Sequence, residues 1–479
     1  MVIIHALQAG RVIDYPLFSR ENSGNPPALA TATGEMFHGT KSDLTHCLLD
    51  YVETQEERPV APTGIIIDAS FLIQTLKPGT AKTVGEYISN VIISYLRAQL
   101  LIYKRVDIVF DIYLKKSLKD GLRKIRGDGE KKRVRLTTKI PKNFQSFLRV
   151  NENKTELNHL IASNVAQMDC PNGKLIVSTR GDNILSSQPI QSADMITPCD
   201  HEEADTRTLL HAAHMKQQGF ESITLRANDT DILILSVFVQ AHLGFTELWA
   251  SFGTGKHHKF IPVHNIVTQI RQSSSLALPG FHAYTGGDNV ESFHNKGKKT
   301  CWELWQKYPE FTSAFDVLSQ MNPTKEDINR AFPILNKYTA LLFQKTYEYD
   351  DVDSLRQHLF LHKGKSFDSM PPGSDALKLH TLRAAYQGGH IWGKTLVPMM
   401  NAPSPCEWGW IETTERFYPM WTSIDTLSRK LTPLRICGCQ VKCESPCTCC
   451  VLNLPCTGLC GCKGECFGKK HKVPAPEDN

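Results

Sequence analysis

An α/β fold, with a doubly wound and mostly parallel sheet, is predicted by three observations on this 479-residue chain. Short apolar runs such as GIIID, VDIVF and KLIVST alternate with segments of helical periodicity. Strand, helix and strand in succession give parallel pairing through right-handed crossovers. Acidic residues recur at the ends of these runs, where open α/β sheets form their ligand crevice.

Residues 1–60 form an N-terminal extension with a polar SRENSGNPP segment, an ATGEMF turn and a helical pattern near 44–51, and no chemistry is assigned to them. GIIID then reads as a buried strand ending on Asp68. A helix over 84–103 carries the stripe Ile88, Val91, Ile92, Tyr95, Leu96 and Leu100. The strand after it carries Asp107 and Asp111. Helical spacing over 143–167 leads to the strand KLIVST. The stretch 199–231 is central: Glu203 and Asp205 open a helix, and Asp229 and Asp231 close the strand whose alternation is Ile223, Leu225 and Ala227. A buried helix over 233–243, a strand TELWASF and a strand running into a helix at KFIPVHNIVTQI follow. TGGD presents Asp288 from a glycine turn, and KGKKTCWELWQKY reads as a helix beginning with Lys296, Lys298 and Lys299. Residues 311–430 are helical additions that buttress the sheet, with His380 and His390 read as structural.

Composition narrows the function class. A hydrophobic fraction of 41% and a charged fraction of 22% are those of an ordinary soluble protein. With a net charge of only +5, polyanion binding must come from local patches. The opening MVIIHALQAG does not read as a signal peptide, and the most apolar helix is broken by Arg97 and too short to cross a bilayer, so a soluble intracellular chain without membrane attachment is expected. One patch stands out. Between Lys115 and Lys142 there are twelve Lys or Arg against three acids. A solvated face is the ordinary reading of such a run, but its place beside an acidic crevice suits contact with phosphate, through Lys119, Arg123, Lys124 and Arg126, with Lys298 and Lys299 as further contacts.

Seven acids stand at a strand end, a helix start or a glycine turn: Asp68, Asp111, Glu203, Asp205, Asp229, Asp231 and Asp288. Carboxylates gathered in one partly buried site repel one another, so something cationic must lie between them. Hard divalent ions, Mg²⁺ or Mn²⁺, suit oxygen donors, and a pair of them suits phosphodiester hydrolysis. The motifs IIIDAS, VFDIY with its basic segment, EEAD, NDTD and TGGD, spread over 64–290, resemble the flap-endonuclease-like branch of the PIN-type nucleases, and their wording is nearest to Asteroid-like proteins. The resemblance implies a PIN-like nuclease domain over 61–310, with all seven acids as catalytic metal ligands, two Mg²⁺ or Mn²⁺ ions and a structure-specific nuclease activity. In this chain some 60 residues precede the first acid, and the hairpin glycine pattern that grips duplex DNA is only weakly echoed at Lys296 to Thr300. The rival reading is a nucleic-acid or protein-interaction factor, possible in a protein of mobile-element origin, that kept the fold and lost turnover.

Ten of the 15 cysteines lie between Cys437 and Cys466. In an intracellular chain so dense a cluster favours metal over disulfides. Three Zn²⁺ need twelve bonds, which nine cysteines supply if three bridge: Cys437, Cys439, Cys443, Cys447, Cys449, Cys456, Cys460, Cys462 and Cys466, with Cys450 spare. The spacing resembles the CXC domain of tesmin-like proteins, which implies a zinc module over 431–472 that helps to hold DNA, with Lys442, Lys463, Lys469, Lys470 and Lys472 near phosphates. The sequence-level expectation is therefore a metal-dependent nuclease whose partner is nucleic acid, DNA in preference to RNA, placed in the nucleus by that ligand and by the basic triplet Lys131, Lys132 and Arg133.

Overall fold

The computed structural model describes residues 21, 23–55, 58–120, 130–345, 349–363, 369–414, 416–424, 437–439 and 461. Residues 25–423 form one compact unit, and 1–24 with 424–479 form another. The larger unit is built on a seven-stranded sheet in the order β4-β3-β2-β1-β5-β6-β7. The strands are β1 (Gly64–Asp68), β2 (Arg105–Val109), β3 (Leu175–Arg180), β4 (Asn183–Ser186), β5 (Ser222–Arg226), β6 (Glu247–Phe252) and β7 (Lys259–Pro262). β3, β2, β1, β5 and β6 run parallel, and β4 and β7 close the two edges antiparallel. This is the doubly wound, mostly parallel α/β sheet that the alternation of runs predicts.

The run Ile65, Ile66, Ile67 shows why the strands are apolar throughout. Ile65 and Ile67 point into one core, with Val106 and Ile108 of β2. Ile66 points into the other, with Leu225 beside it on β5. Both faces are covered, so strand positions of either parity must be apolar or internally paired. The first face is covered by α2 (Ala69–Thr75), the helical run α3 (Val84–Tyr87) and α4 (Ser94–Ile102), and α6 (Asn151–Ala166), which follows the short α5 (Phe144–Phe147). The first helix, α1 (Ser42–Leu49), lies on the opposite side, in the core of Ile66. That side also holds α7 (Ala204–Gln217), α8 (Thr230–Leu243), α9 (Val263–Ile270) and α10 (Gln272–Tyr284). The polar exceptions on β2 are paired: Asp107 accepts from Arg105 at 2.8 and 2.7 Å, and His211 of α7 stands 2.7 Å from it.

The later helices α11 (Lys298–Lys307), α12 (Thr312–Ser319), α13 (Lys325–Phe343), α14 (Val352–Lys363) and α15 (Ser374–Ala385) extend this same core. α10 and α12 pack so closely at Gly280 that a Cβ there would stand 2.2 Å from the Phe315 carbonyl oxygen. A small hairpin, β8 (Trp410–Glu412) and β9 (Phe417–Pro419), completes the unit. His380 is buried between Glu291 and the Tyr284 carbonyl, both at 2.8 Å, and serves packing as expected. Among the described residues no helix is long and apolar enough to cross a membrane.

One local expectation changes. Asp229 and Asp231 do not close a strand: the β5 ladder ends at Arg226, and Asp229 is the N-cap of α8, accepting the Asp231 N–H at 3.0 Å. A carboxylate at that position satisfies an otherwise unpaired helix donor and starts the helix there. Of the smaller unit little is described. The Gly461 N–H donates to the Cys437 carbonyl at 2.8 Å, and a Cβ on Gly461 would meet the Cys439 and Gly438 carbonyl oxygens at 2.9 Å.

Candidate metal centre

The carboxyl ends of β1 and β2 and the N-termini of α7 and α8 meet at one place. Asp68, the last residue of β1, caps α2 by accepting the Ser70 N–H at 2.8 Å. Asp111, just beyond β2, accepts the Ala204 N–H at 2.9 Å through Oδ1 and the Ser70 hydroxyl at 2.8 Å through Oδ2. Asp111 is thereby tied to the N-terminus of α7, where Glu203 is the N-cap and Asp205 lies in the first turn. Asp205, Asp229 and Asp231 each offer an oxygen within 4.8 Å of the others. Asp288 comes in on the turn after α10, where Gly286 has φ 104° and a Cβ would lie 2.7 Å from that of Ser292. That turn is held from behind by the buried Glu291, bonded to His380 and Arg383. Asp68, Asp111, Glu203, Asp205, Asp229 and Asp288 line one cavity of about 410 Å³, and Asp231 lies under its edge, 1% exposed.

Two lysines enter this cluster. Lys41, at the start of α1, places Nζ 2.8 Å from Asp288 Oδ1, 3.0 Å from Asp231 Oδ2 and 3.7 Å from Asp229 Oδ1. Lys119 places its own 3.2 Å from Glu203 and 2.9 Å from Asp288. Their charges divide the acids into two groups. Burial pushes Asp231 and Asp288 up, but for Asp231 the His282 hydrogen bond and Lys41 outweigh it, and for Asp288 Lys119 does, so both stay below the usual range. On the other side burial prevails. Burial and the neighbouring Asp111 raise Asp68 to about 7, and burial raises Glu203 to about 7 against the pull of Lys119. Asp205 is raised well above its ordinary value by burial and by Asp229. No lysine or arginine among the described residues forms an ion pair with Asp68, Asp111 or Asp205.

The donor set is all carboxylate oxygen, with neither thiolate nor imidazole facing the cavity, and this suits a hard divalent cation. The same cavity is also lined by Gln145, Arg149, Asn151, Lys154 and Asn158 of α5, α6 and the turn between them, with the Lys154 ammonium 4.1 Å from the Tyr113 ring.

All seven acids singled out in the sequence thus converge. Of the basic candidates, Lys119 lies within the site, and Lys299 is exposed at the start of α11. Arg123, Lys124 and Arg126 lie outside the described residues, as do Cys443, Cys447, Cys449, Cys456, Cys460, Cys462 and Cys466. Lys298 is a correction. It is 1% exposed and donates to the His282 carbonyl and, at 2.8 Å, to the Thr285 hydroxyl, so it braces the floor of the site and does not reach a phosphate. Burial lowers it to about 7. Sequence reasoning missed Lys41, Arg149, Lys154 and His282. Lys41 carries no local signal, since its partner Asp231 is 190 positions away.

No family model matches this chain, and no curated protein does. Among solved structures the chain is similar to the catalytic core of Rad2 in complex with DNA substrate, at 11% identity and a TM-score of 0.34, over 74% of this chain and 96% of that one. It is also similar to a bacteriophage T5 flap endonuclease in a pseudo-enzyme–product complex with DNA and metal ions, at 13% identity and a TM-score of 0.30, over 70% and 96%. A third is T5 5′-exonuclease with bound divalent zinc ions, at 12% identity and a TM-score of 0.30, over 67% and 98%.

Proposed function

We propose that this chain is a divalent-metal-dependent nuclease that hydrolyses phosphodiester bonds, with DNA as its substrate, and that the acidic cavity is its active site. The observation that carries the reading is that six acids, spread from Asp68 to Asp288, line one cavity with Asp231 against them, and that Arg149 and Lys154 line the same cavity. Caps and solvated charges do not need to meet across the fold, whereas an ion holder does.

In this reading Asp205 and Asp229 would hold Mg²⁺ or Mn²⁺, with Asp68, Asp111 and Glu203 beside them in the same cavity. A bound ion of this kind lowers the pKa of water toward neutrality and offsets the charge that grows on the leaving oxygen. The chain's own residues do the rest. Arg149 and Lys154 hold a phosphate of the substrate strand against the cavity. Lys119, anchored by Glu203 and Asp288, faces the same phosphate from the acidic side. Ser70 and the Ala204 N–H fix the Asp111 carboxylate, so its orientation is set before any ligand arrives. No Ser or Cys nucleophile is required, and the products are a hydroxyl and a phosphate.

The nine cysteines named above are proposed to hold three Zn²⁺ in a module that helps to hold DNA. In support, the N–H of Gly461, which stands between Cys460 and Cys462 in the sequence, is bonded to Cys437. A nuclear location is proposed with DNA as ligand, and Lys131, Lys132 and Arg133 are exposed.

The test is cleavage of labelled flap, hairpin and single-stranded DNA and RNA in Mg²⁺ or Mn²⁺. Wild type is expected to cut, and Asp205→Asn with Asp229→Asn to lose at least about 100-fold while still binding. Equal cleavage by both, or none by either at saturating binding, would replace this reading with the non-catalytic one.

A further inference from the structure

The acids do not share their counter-charge evenly. Asp231 has its acceptors engaged by the protein: Lys41 Nζ lies 3.1 Å from Oδ1 and 3.0 Å from Oδ2, and His282 Nε2 lies 3.0 Å from Oδ1. Asp288 is spanned by two ammonium groups, Lys41 on Oδ1 at 2.8 Å and Lys119 on Oδ2 at 2.9 Å. By contrast Asp68, Asp111 and Asp205 form no ion pair among the described residues, and Asp205 feels Lys119 only from beyond ion-pair distance.

Lys41 is placed there by packing. It stands one helical turn before Thr45, so the two share a face of α1. Thr45 is buried and donates at 3.3 Å to Thr230, the first residue of α8, while Leu44 and Leu48 are wholly buried in the core beneath. The same docking that fixes Thr45 on Thr230 therefore carries the Lys41 side chain to the neighbouring Asp231. Its side chain is 21% exposed, so the ammonium sits at the margin of the cavity, held by three carboxylates.

We infer that Lys41 stands in for one of the two cations expected among these acids, so that the site takes a single divalent ion, at Asp205 and Asp229, whose oxygens lie within 4.8 Å of each other. The inference rests on the proposed function and deepens it: the two ions expected from the sequence become one ion and one lysine. An ammonium lacks the coordination chemistry of a divalent ion but provides a fixed unit charge in the same low-dielectric setting. The N-terminal segment, to which the sequence assigns no chemistry, then contributes a working residue of the active site.

The experiment counts ions directly and does not depend on turnover. The full-length chain, purified without chelator, is titrated with Mn²⁺ while free Mn²⁺ is followed by electron paramagnetic resonance. Thiolate sites discriminate against this hard ion. Wild type is expected to bind one Mn²⁺ that Asp205→Asn abolishes. Lys41→Met is expected to bind two, and Lys41→Arg, which keeps the charge, one. Two Mn²⁺ in the acidic site of wild type would overturn the inference whatever the variants do. So would one in a Lys41→Met protein whose circular dichroism and melting are native-like. No acid-dependent Mn²⁺ in any of them would overturn the proposed function as well, which separates the two failures.

Discussion

Asp231 and His282, 51 positions apart, share a 3.0 Å hydrogen bond beneath the acidic cavity, and the His282 ring stacks on Trp392 at 5.2 Å between centroids. Burial and the nearby Lys298 lower His282 to about 4, so at neutral pH the ring is uncharged and donates from Nε2 to the carboxylate. His282→Ala removes that donor and leaves space beside Trp392. Urea denaturation is expected to show a loss of about 2–4 kcal/mol, the usual range for removing a buried hydrogen-bonding ring.

The raised carboxyls give the metal-free protein a signed dependence on pH. Asp68 and Glu203 titrate at about 7 in the folded chain, well above their unfolded values, so the folded state binds more protons between those limits. Their contribution therefore falls as pH rises from about 4 to about 7. Melting in chelator should drop across that interval, and added Mg²⁺ should raise it more at pH 8 than at pH 5.5. An equal metal shift at both values would argue against ion binding by these groups.

Asp205 presents the same physics at one residue. Burial and Asp229 hold it protonated well above the usual carboxylate range, and Asn mimics the protonated form in shape. Asp205→Asn is expected to melt a few degrees higher than wild type in chelator at pH 8, to match it at pH 5, and to lose the stabilisation by Mn²⁺. Differential scanning fluorimetry at the two pH values reads all three outcomes.

The two basic residues that line the cavity, Arg149 and Lys154, imply a salt effect. Substituting Arg149 and Lys154 with Ala should weaken oligonucleotide binding in Ca²⁺ for all sequences alike. The slope of log affinity against log salt should fall by about one for each lost phosphate contact. Fluorescence anisotropy over a salt series measures it. An unchanged slope would place the strand elsewhere.

Much of this site was legible in the sequence because short-range patterns report it. IIID announces a strand buried on both faces with an acid at its end, and TGGD announces a turn that only glycine allows. The basic run after Asp111 likewise pointed to Lys119. What was hidden depends on contacts across the chain. Nothing around Lys41 distinguishes it from any lysine at a helix start; only the docking of α1 on α8 makes it a partner of Asp231. Lys298 misled for the same reason. Its KGKK setting looks solvated, yet the packing of α11 turns this one lysine inward onto Thr285 and leaves Lys299 outside. Asp229 was placed on the wrong element because an acid at a strand end and an N-cap are the same residue type one step apart.

The most direct test of the central claim is anomalous diffraction from crystals of the full chain soaked in Mn²⁺. A manganese peak is expected within the cavity, bound by Asp205 and Asp229, with Lys41 still against Asp231 and Asp288. A fully soaked crystal with no peak among these carboxylates would contradict it.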